Sequence, residues 1–310
     1  MFFFPDFIPN PVQYLITVSG ILVCGGAALL YIFQCELIYA ANFPPGSRQQ
    51  VSKPTDHGIY KYEDVTLTTK DNVNIRAYVC RQVPEATARI SPTILFFHAN
   101  AGNMGHRLPI AKKFYIKYKC NVVLLSYRGY GLSEGKANEK GIQIDAQCIL
   151  DHIRNHDVLK DTKIIVYGQS VGGAVAIYLV SRNESDISGL IVENTFLSIP
   201  KLIPHVLPQL KHFTFLCHQN WPSEIAIRQI VNTPILFLTG AKDELVPPEH
   251  MRQLYELAET RGGKVWKEFV NGTHNDTVIQ PGYFETIGEF IENRVMSFAM
   301  IKEKAENDEK

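Results

Sequence analysis

An apolar, β-branched run, Lys163-Ile164-Ile165-Val166-Tyr167, stops at Gly168-Gln169-Ser170-Val171-Gly172-Gly173 and gives way at once to the helix-like run Ala174-Val175-Ala176-Ile177-Tyr178-Leu179-Val180. No other stretch limits the possible folds as strongly. A strand that becomes a helix across a G-x-S-x-G sequence makes a sharp, strained bend with the serine at its apex. Residues two places either side of the serine must then lack bulk, and Gly168 and Gly172 do. Gly173 lets the helix pack close to the strand layer. The helix start also leaves N–H groups aimed at charge that forms beside the serine. Ser170 is therefore a candidate nucleophile; the plainer alternative is a glycine-rich turn with an idle hydroxyl.

The rest of the chain supplies the layers such a bend needs. Residues 93–97, Thr-Ile-Leu-Phe-Phe, are a continuous apolar run, the mark of a strand buried on both faces. Further strands are expected at 121–127, 189–193, 234–239 and 264–270, and helices at 104–118, 140–156, 250–260 and 283–300. Residues 62–69 and 73–79 alternate around Lys70-Asp71-Asn72 as a hairpin, and 84–92 read as a loop between prolines. Strands alternating with helices specify an α/β fold with a mostly parallel central sheet covered by helices. One segment, 197–230, breaks the rhythm: Pro200, Pro204 and Pro208 stand amid Leu, Ile, Val and Phe, so no long regular helix fits. Lying between two core strands, it is either a short cap or a plain surface excursion. As a cap it offers Leu202, Ile203, Val206 and Leu207 to a substrate.

The N-terminus is of another kind. No charged residue occurs from 7 to 35, and residues 15–33 are almost wholly apolar or small. Nineteen helical residues span roughly 28 Å, the thickness of a bilayer's hydrocarbon layer. A cleaved signal peptide would carry a basic start, yet Arg48 is the first Lys or Arg. The expected organisation is a membrane anchor over 1–41 with its helix at 12–35, a proline-bearing connector over 42–58, a folded domain over 59–298, and a charged tail over 299–310. With 31 basic and 31 acidic residues there is no electrostatic footprint for nucleic acid. Six cysteines show no C-x-x-C spacing and read as small buried hydrophobes, neither metal ligands nor a disulfide framework; the expected chemistry calls for no metal or organic cofactor.

A serine hydroxyl attacks poorly until a base takes its proton and an acid orients that base. Enzymes built on this bend order them Ser, acid, His. Of ten histidines, only His250 and His274 follow the strand at 234–239. His250 falls among Glu249, Arg252 and Gln253, a pattern that predicts a solvated helix face. His274 lies past the last strand in Asn271-Gly272-Thr273-His274-Asn275-Asp276, a turn-rich loop suited to presenting an imidazole. Asp243, leaving the preceding strand, is the expected acid. Its neighbour Glu244 would point elsewhere, and Glu193, at the end of the strand after the bend, is the rival. The oxyanion needs two fixed donors: the backbone N–H of Val171, and one from His98-Ala99-Asn100-Ala101-Gly102-Asn103, for which Asn100 comes first and Ala101 next. His98 reads as a structural loop residue.

With these residues assembled, the chain resembles the α/β-hydrolase superfamily, and within it the bud-emergence-type hydrolases. The resemblance is carried by F-F-H-A-N-A-G-N-M-G-H-R (96–107), S-Y-R-G-Y-G-L-S-E-G (126–135), G-Q-S-V-G-G-A-V-A-I (168–177), V-E-N-T-F-L-S-I (192–199), K-D-E-L-V-P-P (242–248) and G-T-H-N-D-T (272–277). It implies the α/β-hydrolase fold, a single-pass membrane serine hydrolase, and the nucleophile, acid and base roles for Ser170, Asp243 and His274. One departure is Ala99, where glycine is usual after the histidine. An anchor beside an apolar cap suggests lipophilic acyl esters or thioesters, the resemblance adds acylated proteins as substrates by analogy with family members, and the expected location is an endomembrane such as the endoplasmic reticulum. The alternatives are a serine peptidase with the same triad and a tethered binding protein on a hydrolase scaffold. Arg48 and Lys53, the unpaired cysteines and the sequons at Asn183, Asn271 and Asn275 lean toward a cytosolic body, whereas the resemblance implies the opposite side.

Overall fold

The structure, a computed structural model, describes residues 11–297. The charged tail at 299–310 and the last residues of the helix expected to reach 300 lie outside them.

Five strands are buried along their whole length, as their unbroken apolar runs predict: β3 (Thr93–Phe97), β4 (Asn121–Ser126), β5 (Ile164–Gln169), β6 (Gly189–Glu193) and β7 (Ile235–Gly240). They pair in parallel in the order β4-β3-β5-β6-β7. β8 (Lys264–Phe269) adds in parallel at one edge. At the other edge β1 (Tyr62–Thr68) and β2 (Asn74–Cys80) form the hairpin, with Val65 opposite Ala77, and β2 joins β4 antiparallel. Alternate residues of each central strand enter different apolar layers: Leu95, Phe97 and Val166 go to one face, Ile94, Phe96, Ile165 and Tyr167 to the other.

Helix α1 (Pro11–Ile38) stands apart from the body until its last turns. Then follow α2 (Glu85–Ile90), α3 (Leu108–Lys117), α4 (Glu139–Asn155), α5 (Val171–Arg182), α6 (Ile199–Val206), α7 (Ser223–Ala226), α8 (Pro248–Leu257) and α9 (Tyr283–Phe290). Two sequence expectations need correction. Residues 84–92 are not a plain loop: Pro84 takes the N-cap position, where a proline's fixed φ costs nothing, and α2 buries Ala88. The closing helix does not stay α-helical, but widens into a π turn over Ile291–Met296.

Segment 197–230 holds only the short helices α6 and α7 and single turns, with Pro204 inside α6. It is tied to α1. Gln34, the one buried residue of that helix, donates to the Leu216 carbonyl at 3.2 Å and accepts from the His218 N–H at 2.8 Å. Beyond the helix, the Tyr39 hydroxyl donates to Gln219 at 3.0 Å and accepts from the Trp221 indole at 2.9 Å. Segment 42–58 is likewise packed down: Asn103 donates to the carbonyls of Ser47 and Gln50 at 2.8 and 3.0 Å.

Candidate active site

Parallel strands in an open α/β sheet deliver their loops to one edge, and ligands bind there. Here the register brings Phe97, Gly168 and Val192 into one row, so the loops after β3, β5 and β6 leave the sheet side by side. Ser170 follows β5 with φ 55° and ψ −121°, a conformation costing an L-residue about 1–3 kcal/mol. The bend holds because its frame is over-determined. The Ser170 N–H donates to the Glu193 carbonyl at 2.9 Å, and its carbonyl accepts from the Thr195 hydroxyl at 2.7 Å. A Cβ on Gly168 would enter the Gly172 carbonyl, and one on Gly172 would enter the Phe97 carbonyl, so neither position admits a side chain. A Cβ on Gly173 would meet Thr195.

The β7 and β8 loops bring an acid and an imidazole together. Asp243 Oδ2 lies 2.8 Å from His274 Nδ1, and both side chains are buried. Asp243 Oδ1 accepts from the N–H groups of Leu245 and Val246 at 2.9 and 2.8 Å, so the same carboxylate also closes an Asx turn that fixes its rotamer. Glu193 is elsewhere engaged. It is wholly buried, and Oε2 accepts from the hydroxyls of Tyr167 and of Tyr283, the latter at 2.5 Å. Burial raises its pKa above the ordinary carboxylate value. Glu244 does not point away as its position suggested: Oε2 accepts the backbone N–H of His274 at 3.1 Å. His250 also departs from expectation. It is buried beneath the cap, where Nδ1 accepts from the Leu197 N–H at 3.4 Å, and burial lowers its pKa. The amphipathic pattern of α8 leaves its first turn ambiguous; the returning cap covers it.

Ser170, Val171, His274 and Asn100 all line one cavity of about 390 Å³. Among the described residues no hydrogen bond joins the Ser170 hydroxyl to His274, as is common before a substrate is bound. Val171 opens α5, and neither its N–H nor that of Asn100 is taken up by a hydrogen bond among the described residues. The Asn100 side chain works outward instead: its amide donates to the Ile38 carbonyl, and its oxygen accepts from Tyr130 at 2.8 Å and from the Ala40 N–H at 3.3 Å. The loop after β3 is thus fastened to the end of α1. His98 is buried, with Nδ1 on the Ala99 carbonyl at 2.7 Å, and burial pushes its pKa down to about 3, which keeps the ring neutral.

The opposite wall is apolar. Ile199, Leu202, Ile203, Val206 and Leu207 come from the cap, Leu37 and Ile38 from α1. Four of these, Leu37, Ile38, Ile203 and Leu207, also line a second apolar groove that continues along α1 past Leu30, Leu210 and Phe213. A larger depression of about 770 Å³ lies among charged side chains including Glu63, Arg81 and Arg89, and contains none of the motif residues.

Three residues of the site are not among those picked from sequence. Asn194, at φ 45°, donates to the Thr273 and His274 carbonyls at 3.2 Å each and accepts from the Gly240 N–H at 2.8 Å. Gln169 also donates to the His274 carbonyl, at 3.1 Å. Glu193-Asn194, a polar pair straight after the apolar run Leu190-Ile191-Val192, was the available signal. The third is Arg107 in the cavity wall.

Comparison with known proteins fits this arrangement. Protein bem46 of Schizosaccharomyces pombe is 46% identical over 266 residues, covering 84% of this chain and 87% of that one. The chain belongs to the α/β-hydrolase family. WAV2 of Arabidopsis thaliana, an α/β-hydrolase domain-containing protein, is 40% identical, covering 88% of this chain and 92% of its own. A membrane protein of Saccharomyces cerevisiae, YNL320W, is 42% identical over 85% of this chain and 90% of its own. Residues 88–228 match the family described as serine aminopeptidase, S33, a span that ends before Asp243 and His274. Among solved structures, the esterase Pf2001 of Pyrococcus furiosus superposes with a TM-score of 0.66 at 19% identity, covering 79% of this chain and 95% of that one. That likeness is one of fold. This α/β-hydrolase also has, in α1, one helix of 28 residues long and apolar enough to cross a membrane.

Proposed function

We propose that the chain is a membrane-anchored serine hydrolase acting on acyl esters or thioesters of lipophilic substrates. The observation that carries this reading is His274, held by Asp243 at 2.8 Å, in the wall of the cavity that Ser170 also lines from its strained bend. Ser170 Oγ attacks the carbonyl carbon while His274 Nε2 takes the hydroxyl proton, and Asp243 holds the ring in the tautomer that leaves Nε2 free. The N–H groups of Val171 and Asn100 receive the oxyanion. Collapse of the tetrahedral adduct expels the alcohol or thiol, which leaves with the proton from His274. Water then attacks the acyl-serine, its proton passing to His274 and back to Ser170 Oγ as the carboxylic acid departs. Fluorophosphonate labelling followed by esters of graded chain length tests the reading.

The apolar wall supports the lipophilic part. Leu202, Ile203, Val206 and Leu207 face the same cavity as Ser170, and the groove along α1 extends it toward the segment proposed to lie in the bilayer. Paired changes to serine, Leu202 with Ile203 or Val206 with Leu207, are expected to lower turnover of a long-chain ester by about 10-fold or more, at roughly 1–3 kcal/mol of lost burial per pair, and of an acetyl ester by much less. Equal losses on both esters would make the segment a support for the fold and not an acyl site.

The same reading places α1 as a single membrane pass with the body in the cytosol. Asn275, the asparagine of a sequon, is exposed and lines the catalytic cavity beside His274, where a glycan would obstruct the mouth. All six cysteines are free, which suits a reducing compartment. Endoglycosidase treatment of the protein from native membranes is expected to leave its mobility unchanged. A shift that disappears in Asn183→Gln puts the body on the lumenal side.

A further inference from the structure

Arg107 is the one permanently charged side chain among the described residues that line the catalytic cavity. A guanidinium carries five N–H donors in a fixed fork and keeps its charge at any physiological pH. In this structure one donor is used, from Nη2 to the Ala101 carbonyl at 3.0 Å. Nε is fully buried and has no partner. Among the described residues no carboxylate stands within ion-pair distance of it. Glu193 acts on it only through space, because the Glu193 oxygens are already engaged by Tyr167, Tyr283 and Gln169. Burial lowers the Arg107 pKa, the mark of a cation without adequate compensation. Unsatisfied buried donors are rare in folded proteins and call for an explanation.

The cavity's layout says what kind of group would supply one. Its cap and α1 walls are apolar and continue into an apolar groove, which suits the acyl chain. The polar lining left for the rest of an ester is Arg107 and Asn275, beside Ser170, His274 and the Asn100 N–H assigned to the oxyanion. We infer that Arg107 receives a phosphate or carboxylate borne on the alcohol portion of the substrate, making the preferred substrate an anionic single-chain amphiphile and not a neutral acylglycerol. This rests on the hydrolase reading for its kinetics but not for its binding. An anionic oxygen of either group can pair with the charged guanidinium through Nη1, whereas an uncharged glycerol offers it no anionic acceptor.

Three esters of one acyl chain length decide it, with glycerol phosphate, a hydroxycarboxylate or plain glycerol as the alcohol. Wild-type protein in detergent is expected to show a kcat/KM for one or both anionic esters roughly 10- to 100-fold above the neutral one, the range for a hydrogen bond to a charged group. The arm that shows the larger preference identifies the anion. Arg107→Gln should bring the ratio close to one, and Arg107→Lys should keep part of it, since charge remains but the fork is lost. The ratio is the readout because Arg107 also holds the Ala101 carbonyl, so damage to that loop lowers all three esters together. A binding measurement stands apart from catalysis: in Ser170→Ala protein, glycerol 3-phosphate should raise Tm where glycerol does not, and the rise should vanish when Arg107→Gln is added. No anionic preference in the wild type, a preference that survives Arg107→Gln, or an unmoved Tm would overturn the inference. Absence of fluorophosphonate labelling in the wild-type protein, with the Tm rise intact in Ser170→Ala, would count against the hydrolase reading alone.

Discussion

Alanine in place of Ser170 is expected to abolish fluorophosphonate labelling and to lower ester turnover by about 10⁵- to 10⁶-fold, as removal of a triad nucleophile does elsewhere. The size follows from the division of labour at the bend. The Val171 and Asn100 N–H groups and the apolar wall remain in Ser170→Ala, so binding and oxyanion stabilisation account for whatever activity survives. The covalent route does not survive, because no other hydroxyl stands at that apex. The variant should fold well. Alanine deletes a hydroxyl that makes no hydrogen bond within the described residues, while the backbone bonds from the Ser170 N–H to Glu193 and from Thr195 to the Ser170 carbonyl are untouched. Retained labelling at an unchanged rate excludes Ser170 as the nucleophile.

Much of this was legible because two kinds of signal are local. The five central strands announce themselves through unbroken apolar runs, since a strand covered on both faces has no reason to alternate. The bend at Ser170 is local too, its glycines being required by carbonyls that approach within a few residues of chain or in the adjacent strand. What was not legible depends on contacts between distant parts of the chain. The burial of His250 is decided by Leu197, the docking of α1 by Gln34 meeting Leu216 and His218, and the setting of the His274 loop by Asn194. None of these pairings leaves a periodicity. Residues 84–92 failed for a different reason: two prolines read as loop punctuation, but the first is a helix N-cap and the second lies beyond the helix end. Arg107 belongs to the first class of failure. In the sequence it is one basic residue after a histidine, and only the folded loop after β3 carries it into the cavity wall.

The choice between the two candidate acids gives the second large effect. Asp243→Asn should cost about 10⁴-fold in turnover with the fold intact, the penalty for presenting His274 in the wrong tautomer. Asparagine can keep its oxygen on the Leu245 and Val246 N–H groups, so the turn stays closed. Its amide then faces His274 Nδ1 as a donor, which requires Nδ1 to accept and puts the ring proton on Nε2, where it can no longer take a proton from Ser170. Glu193→Gln is the control, with the opposite expectation. Glutamine retains an oxygen for Tyr167 and Tyr283, and turnover should stay within a few-fold of wild type. Its effect belongs to stability and to pH. Burial holds the Glu193 pKa above that of an unfolded carboxyl, so the folded state favours its proton. The stability that this proton contributes is fully present below the unfolded pKa and is lost as pH rises through the folded one. Glutamine has no proton to lose, so melting profiles of Glu193→Gln should depend less on pH across that window than those of the wild type. If Glu193→Gln rather than Asp243→Asn removes activity in folded protein, the acid is Glu193 and the Asp243–His274 contact serves only the loop.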